Sequence, residues 1–248
     1  MFDFFKPKKD NLIRLTSKRR LDQALMKTGI DNPASITKLT IFGLMTKDDF
    51  KYIRRKMNQT LVELDLFNAS FEDTKLRNGA LARCIALTSV TLPHTVTEIG
   101  DSAFSNCISL KSIVLPNLVT KIGELAFWGC SGLTSVTIPN SVTEIAYRAF
   151  NNCSGLTSVV IPHSVIKIGG SAFGKCVNLT SITIPNSVIE FGNGVFANCT
   201  SLTSITIPES ATKIGEWIFE GCDTFVTVHP DNPVYTSEEG KLMQKVSE

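Results

Sequence analysis

Seven cysteines stand at positions 84, 107, 130, 153, 176, 199 and 222, each 23 residues from the next. An interval this constant calls for a chain that coils back on itself, because one unit of that length cannot bury its own apolar side chains and must lean on the units before and after it. Set in lines of 23 from Leu87, the sequence gives six units that end at Thr224, with LTSVTIPNSVTEIAYRAFNNCSG from Leu133 as a representative line. A degenerate unit of 26 residues precedes them from Leu61, another of 25 from Ile36, and a partial unit opens at Phe225.

Each position in the unit has a physical role. The opening LxxVxI alternates apolar residues, Val136 and Ile138 in the third unit, with outward Ser135 and Thr137, the period of a half-buried strand of about six residues. A proline follows at once (Pro93, Pro116, Pro139, Pro162, Pro185, Pro208); lacking an N–H and fixed in φ, it closes the strand. A second apolar pair, such as Val142 and Ile145, leads to glycine in five of the six units. That glycine is expected to permit a backbone reversal. Phe104, Phe127, Phe150, Phe173, Phe196 and Phe219 then form one column, expected on a short helical turn. Stacked at about 4.8 Å, the columns become internal stripes of a one-dimensional core whose terminal turns need caps. The cysteine column reads as small buried hydrophobes rather than disulfides or metal ligands, because no C-x-x-C or zinc spacing occurs.

A further column alternates in sign: Lys75, Glu98, Lys121, Glu144, Lys167, Glu190 and Lys213. A surface ladder of ion pairs that fixes stacking order is favoured over a charged docking strip.

The unit LTSxTIPxSVTxIGxxAFxxCxx resembles the BspA-like leucine-rich repeat family of bacterial surface proteins, from about Leu61 to Tyr235 and more loosely from Ile36. The resemblance implies an α/β leucine-rich-repeat solenoid, curved, with a parallel β-sheet on its concave face and short helical turns or loops on the other. It also implies a role in binding proteins or adhering to surfaces, with a cell-surface or secreted location. The first fifteen residues carry Lys6, Lys8, Lys9 and Arg14 and show no apolar leader segment, so a cytoplasmic location stays open. Three regions are expected: an N-terminal cap with an amphipathic helix and the first degenerate unit over 1–60, the array over 61–224, and a partial unit with a hairpin-like tail over 225–248.

Charge is divided unevenly, with 14 basic and 6 acidic residues in positions 1 to 60. Thr46-x-x-Asp49 marks a helix start, with Phe50, Ile53 and Met57 on one face and Lys51, Arg54, Arg55 and Lys56 elsewhere. A solvated basic face on a cap is favoured over contact with nucleic acid or an acidic membrane surface, since no nucleic-acid motif accompanies it. No apolar stretch reaches the ~18 residues of a membrane span. Gly169, Gly174 and Lys175 imitate a phosphate loop, but Cys176 replaces the required hydroxyl residue. His94 and His163 share a column about 14 Å apart, and His229 lies beyond the full units, so neither zinc site nor catalytic base is indicated. The reading is therefore a non-enzymatic, monomeric binding module with no cofactor and no small-molecule substrate. Its partner is a protein or cell-surface ligand; an intracellular scaffold is the alternative. Two sets of candidate contact residues follow. Ser135, Thr137, Ser158, Ser181 and Thr183 line the flat hydroxyl-rich strand face. Trp128, Tyr147 and Trp217 break the repeat with large aromatics of the kind that anchor interfaces.

Overall fold

The computed structural model describes residues 11–15 and 20–245, and the chain forms a parallel β-sheet solenoid of about eight turns. The expectation about an N-terminal leader falls largely on residues outside those described. Two parallel ladders run along the coil. One carries the LxxVxI strands: Ser112–Val114, Ser135–Thr137, Ser158–Val160 and Ser181–Thr183 pair in strict register, Ser135 against Ser112 and Ser158 against Ser181. Ser204–Ile207 and Phe225–Val228 continue it. Towards the N-terminus Lys38–Met45, Glu63–Asp65 and Ser89–Thr91 form the same face, with Asn11–Arg14 on the outer edge. Most of these strands have three residues, shorter than the six expected. The proline cuts them on one side; on the other, Thr134, Thr157 and Thr180 use both hydroxyl and amide on a single carbonyl of the preceding turn.

The second ladder is an unbroken sheet of seven two-residue strands from Lys75–Leu76 to Lys213–Ile214. Between the ladders lies the core. Phe104 to Phe196 are 0% exposed at each turn, and their rings stack at 5.1–6.0 Å within 9° of parallel. The file of like residues inferred from the 23-residue phase is thus physically continuous.

The Ala-Phe segment is a run of hydrogen-bonded turns, not a helix. Its sixteenth and twentieth residues lie in the left-handed region, including Leu125 (φ 56°), Arg148 (53°) and Lys175 (61°). The glycine two residues before the first of these is not left-handed. Its role is clearance: a Cβ on Gly192 would stand 2.4 Å from the Gly170 nitrogen, and one on Gly169 2.7 Å from the Tyr147 nitrogen. The expected backbone reversal is therefore made by neighbours of the glycine.

Two helices close the N-terminal end, α1 (Leu21–Lys27) and α2 (Lys47–Lys56). The start inferred at Thr46 is present. One oxygen of Asp49 accepts from the Thr46 amide and hydroxyl, both at 2.8 Å, and its other oxygen accepts from the Leu21 amide at 2.7 Å. Asp49, 2% exposed, thereby joins both helix starts. At the other end Tyr235–Glu238 and Lys241–Gln244 form an antiparallel hairpin. Buried Asn232 holds it, donating to the carbonyls of Pro208 and Ala211 and accepting from the amides of Val234 and Tyr235.

Candidate interaction surface

On the strand face the outward residues of each turn are presented in file. Ser135, Thr137, Ser158, Ser181 and Thr183 are all exposed, and their hydroxyls meet no acceptor among the described residues. The hydroxyls that tie one turn to the next belong to other columns: Thr134 and Thr157 on this face, and Ser141, Ser164 and Ser210 after the proline. The strand-face hydroxyls therefore face solvent and take no part in joining the turns. Val114 and Val160, 79% and 73% exposed, replace threonine in this file.

The face deepens at its N-terminal end into a hollow of about 590 Å³. Phe67, Val114 and Leu118 give it exposed apolar walls, and His94 lies against Phe67 with ring centroids 6.2 Å apart. Ser89 and Asn117 add polar groups, and no Asp, Glu, Lys or Arg lines it. Ser89 and Val114 belong to the outward strand columns that the sequence marks, but neither the hollow nor Phe67 and Leu118 is singled out there, and His94 is weighed only as a ligand or base. The signal was present: Leu118 interrupts a Ser/Thr column and Val114 a Thr column, the same kind of departure that drew attention to the tryptophans.

Those aromatics sit elsewhere. Trp128 is half-buried on the back of the coil, in a column four positions from that of Tyr147. Tyr147, 41% exposed, lies across the next turn, its ring 3.4 Å from the Cβ position of Gly170, while Arg148 covers it at 4.9 Å. Trp217 is 65% exposed at the last full turn. The structure does not bring these three together with the strand-face hydroxyls.

The cysteines do more than fill space. Each thiol from Cys107 to Cys222 donates to the main-chain carbonyl 26 residues earlier, at 3.0–3.3 Å. Burial pushes the thiols of Cys84, Cys130 and Cys199 up to about 12, so they are neutral and poor nucleophiles at physiological pH.

The ion-pair ladder is real but incomplete. Lys75 and Lys121 approach Glu98 at 2.9 and 3.3 Å, and Lys167 approaches Glu144 and Glu190 at 3.6 and 3.3 Å. A hydrogen bond from Lys75 foremost holds the Glu98 carboxyl below its ordinary value. In the imitation of a phosphate loop, the amides of residues 171–176 are all committed to carbonyls, which leaves no cradle. Arg54 does not project as a solvated charge: its guanidinium donates to the carbonyls of Gly79 and Ala80. Glu209, His229 and Asp231 bring ligand atoms within 4.8 Å of one another, an approach that residue spacing did not indicate; all three lie at the surface.

The family described as BspA type Leucine rich repeat region matches residues 74–199 and 167–241, in six copies. The chain belongs to this family. Among solved structures it is similar to a leucine-rich repeat protein of T. pallidum, at 30% identity over 66% of this chain and 71% of that one, with a TM-score of 0.54. It is also similar to the pneumococcal vaccine antigen PcpA, at 26% identity over 63% of this chain and 40% of the antigen, again with a TM-score of 0.54. No curated protein matches the chain. Among the described residues no helix is long and apolar enough to cross a membrane. A solenoid of this family is a protein-interaction or surface module.

Proposed function

We propose that the protein is a non-catalytic adhesion module that takes a polypeptide partner on its strand face, with the hollow at Phe67, Val114 and Leu118 as the anchor. The observation that carries this reading is the pairing of solvent-facing, in-register hydroxyls with an apolar hollow lined by no Asp, Glu, Lys or Arg. Such a surface is already ordered before the partner arrives, so little entropy is lost in shaping it. An uncharged hollow favours an apolar side chain over an ionised one, because an ion would lose its hydration without gaining a counter-charge. Family membership supports a place on a cell surface or outside the cell. The non-catalytic reading is supported by family membership and by the thiols, which burial keeps neutral.

The test is direct binding of the full chain to immobilised host-matrix and bacterial surface proteins. The Phe67→Ala plus Leu118→Ser variant is expected to lose at least about tenfold in affinity, as truncated interface anchors do. A Trp128→Ala plus Tyr147→Ala variant is expected to bind normally. If the second pair abolishes binding and the first does not, the back of the coil is the binding face.

A further inference from the structure

The coil has a direction, and its two ends expose different chemistry. On its back, the amides of Ser102, Phe104 and Asn106 donate to the carbonyls of Glu124, Ala126 and Trp128 on the next turn, at 2.7–2.8 Å. The pattern repeats to the last full turn, where Gly194, Phe196 and Asn198 donate to Glu216, Ile218 and Glu220. Such a ladder begins on a row of carbonyls and finishes on a row of amides. The beginning is met by α2, whose Arg54 donates to Ala80 in that row and to the adjacent Gly79. At the finish, the amides of Trp217, Phe219 and Gly221 meet no acceptor among the described residues.

Burial follows the same asymmetry. Phe104 through Phe196 and the cysteines beside them are shielded by a following turn, whereas Phe219 and Cys222 are only half-buried. The C-terminal hairpin covers the ends of the two ladders instead: the Val226 amide reaches Gly240 beside the first, and the Ile214 amide reaches the Tyr235 hydroxyl at the second. Behind it remain an apolar ring, a thiol, the exposed Trp217 and three amides on alternate residues.

We propose that this edge, which no described residue caps, docks a segment of another polypeptide that supplies a row of main-chain carbonyls, an apolar side chain over Phe219, and basic side chains. The main chain of the edge offers donors only, so a second copy meeting it through a two-fold axis would set main-chain amide against main-chain amide. A small inorganic anion is disfavoured by Glu216, Glu220 and Asp223, three exposed carboxylates on the same turn. These carboxylates select a basic segment through complementary charge. The site lies on the opposite side of the coil from the strand-face hollow and stands whether or not that hollow binds anything.

The array contains a segment with the required features. In residues 164–176, SVIKIGGSAFGKC, the carbonyls of Gly170, Ala172 and Gly174 accept from Arg148, Phe150 and Asn152 at 3.0, 2.9 and 2.8 Å, and the only charged residues are Lys167 and Lys175. A synthetic peptide of this sequence, kept reduced, is the probe, titrated into the isotopically labelled full chain. The amide signals of Trp217, Phe219 and Gly221 are expected to shift and to exchange with solvent about tenfold more slowly at saturation. A scrambled peptide of the same composition is expected to leave them unmoved. The Glu216→Lys plus Glu220→Lys variant, with its fold checked by circular dichroism, is expected to bind about tenfold more weakly, the equivalent of ~1.4 kcal/mol. Lack of binding at millimolar peptide, shifts confined to the strand face, or an equal response to the scrambled peptide would overturn the proposal.

Discussion

At the residue scale, the repeat made the occupants of the core legible but hid the reasons for several of them. The phenylalanine column follows from phase alone, since any in-step coil must stack it. The glycine column does not: its clearance from the previous turn depends on how closely two backbones approach, a distance no single unit encodes. Gly192→Ala should therefore be severely destabilising, because the new Cβ would meet backbone nitrogen at 2.4 Å and no flexible side chain can move aside. Ala146 occupies the equivalent position one turn before Gly169, so Ala146→Gly should change the thermal midpoint little in comparison. Equal effects from the two substitutions would contradict the steric account. The left-handed residues divide in the same way. At the twentieth position Asn106, Asn152 and Asn198, with Gly129 and Gly221, are types that tolerate positive φ, a sign available in the sequence from which Lys175 alone of the six full units departs. At the sixteenth position Leu125, Arg148 and Trp217 are not, and only the surrounding ladder explains their conformation. The thiols predict a simple titration. In the folded chain the buried cysteines should react slowly with a thiol reagent at neutral pH, half-buried Cys222 first, whereas denaturation should release all seven.

At the element scale, both charged features inferred from sequence turn out to position structure. The lysine–glutamate ladder sits on the two-residue strands and is mostly exposed, so each pair stabilises only modestly and is screened by salt. Its pH dependence has a definite sign. Glu98 has a lowered folded value, chiefly through its hydrogen bond from Lys75. Its contribution is therefore present above the ordinary carboxylate range and disappears as pH falls through the lowered folded value. Lys75 and Lys167 have raised folded values, chiefly through hydrogen bonds to Glu98 and Glu190. Their contribution is complete below the ordinary lysine range and disappears as pH rises through the raised value. Glu98→Gln should flatten the acid limb of the thermal-stability curve and lower the midpoint at pH 7 by about 2 °C or less, an effect that 1 M salt removes. An unchanged acid limb would show that Glu98 contributes nothing there. The basic helix is the counterpart at the N-terminus. Its start at Thr46 and its apolar face were readable, but the destination of Arg54 was not, because Gly79 and Ala80 lie 25 and 26 residues away in a degenerate unit. Arg54→Met keeps much of the stem and removes the donors. It should cost about 1 kcal/mol in chemical denaturation, as expected for losing charge-assisted hydrogen bonds to part-buried carbonyls, while Arg55→Met on the exposed side should cost almost nothing.

At the scale of the whole molecule, stability is a sum of turns and of the contacts between neighbouring turns, so the position of a change matters as much as its chemistry. Phe150 stacks on two rings, at 5.2 and 5.6 Å, and is fully buried. Phe219 stacks on one, at 5.8 Å, and is half-buried. The same truncation should therefore cost about 3–5 kcal/mol as Phe150→Ala but less than half of that as Phe219→Ala. The interior change also interrupts the ring file, leaving the turns on either side to unfold with less reference to one another. Its denaturation curve should broaden, whereas that of Phe219→Ala keeps the parent slope. Hydrogen exchange checks the same asymmetry without mutation. The amides of Trp217, Phe219 and Gly221 should exchange first along the back of the coil, with protection rising turn by turn towards Phe127. Uniform protection along the back would mean that the array opens as a single unit, and the distinction between a capped beginning and an open finish would lose its energetic meaning.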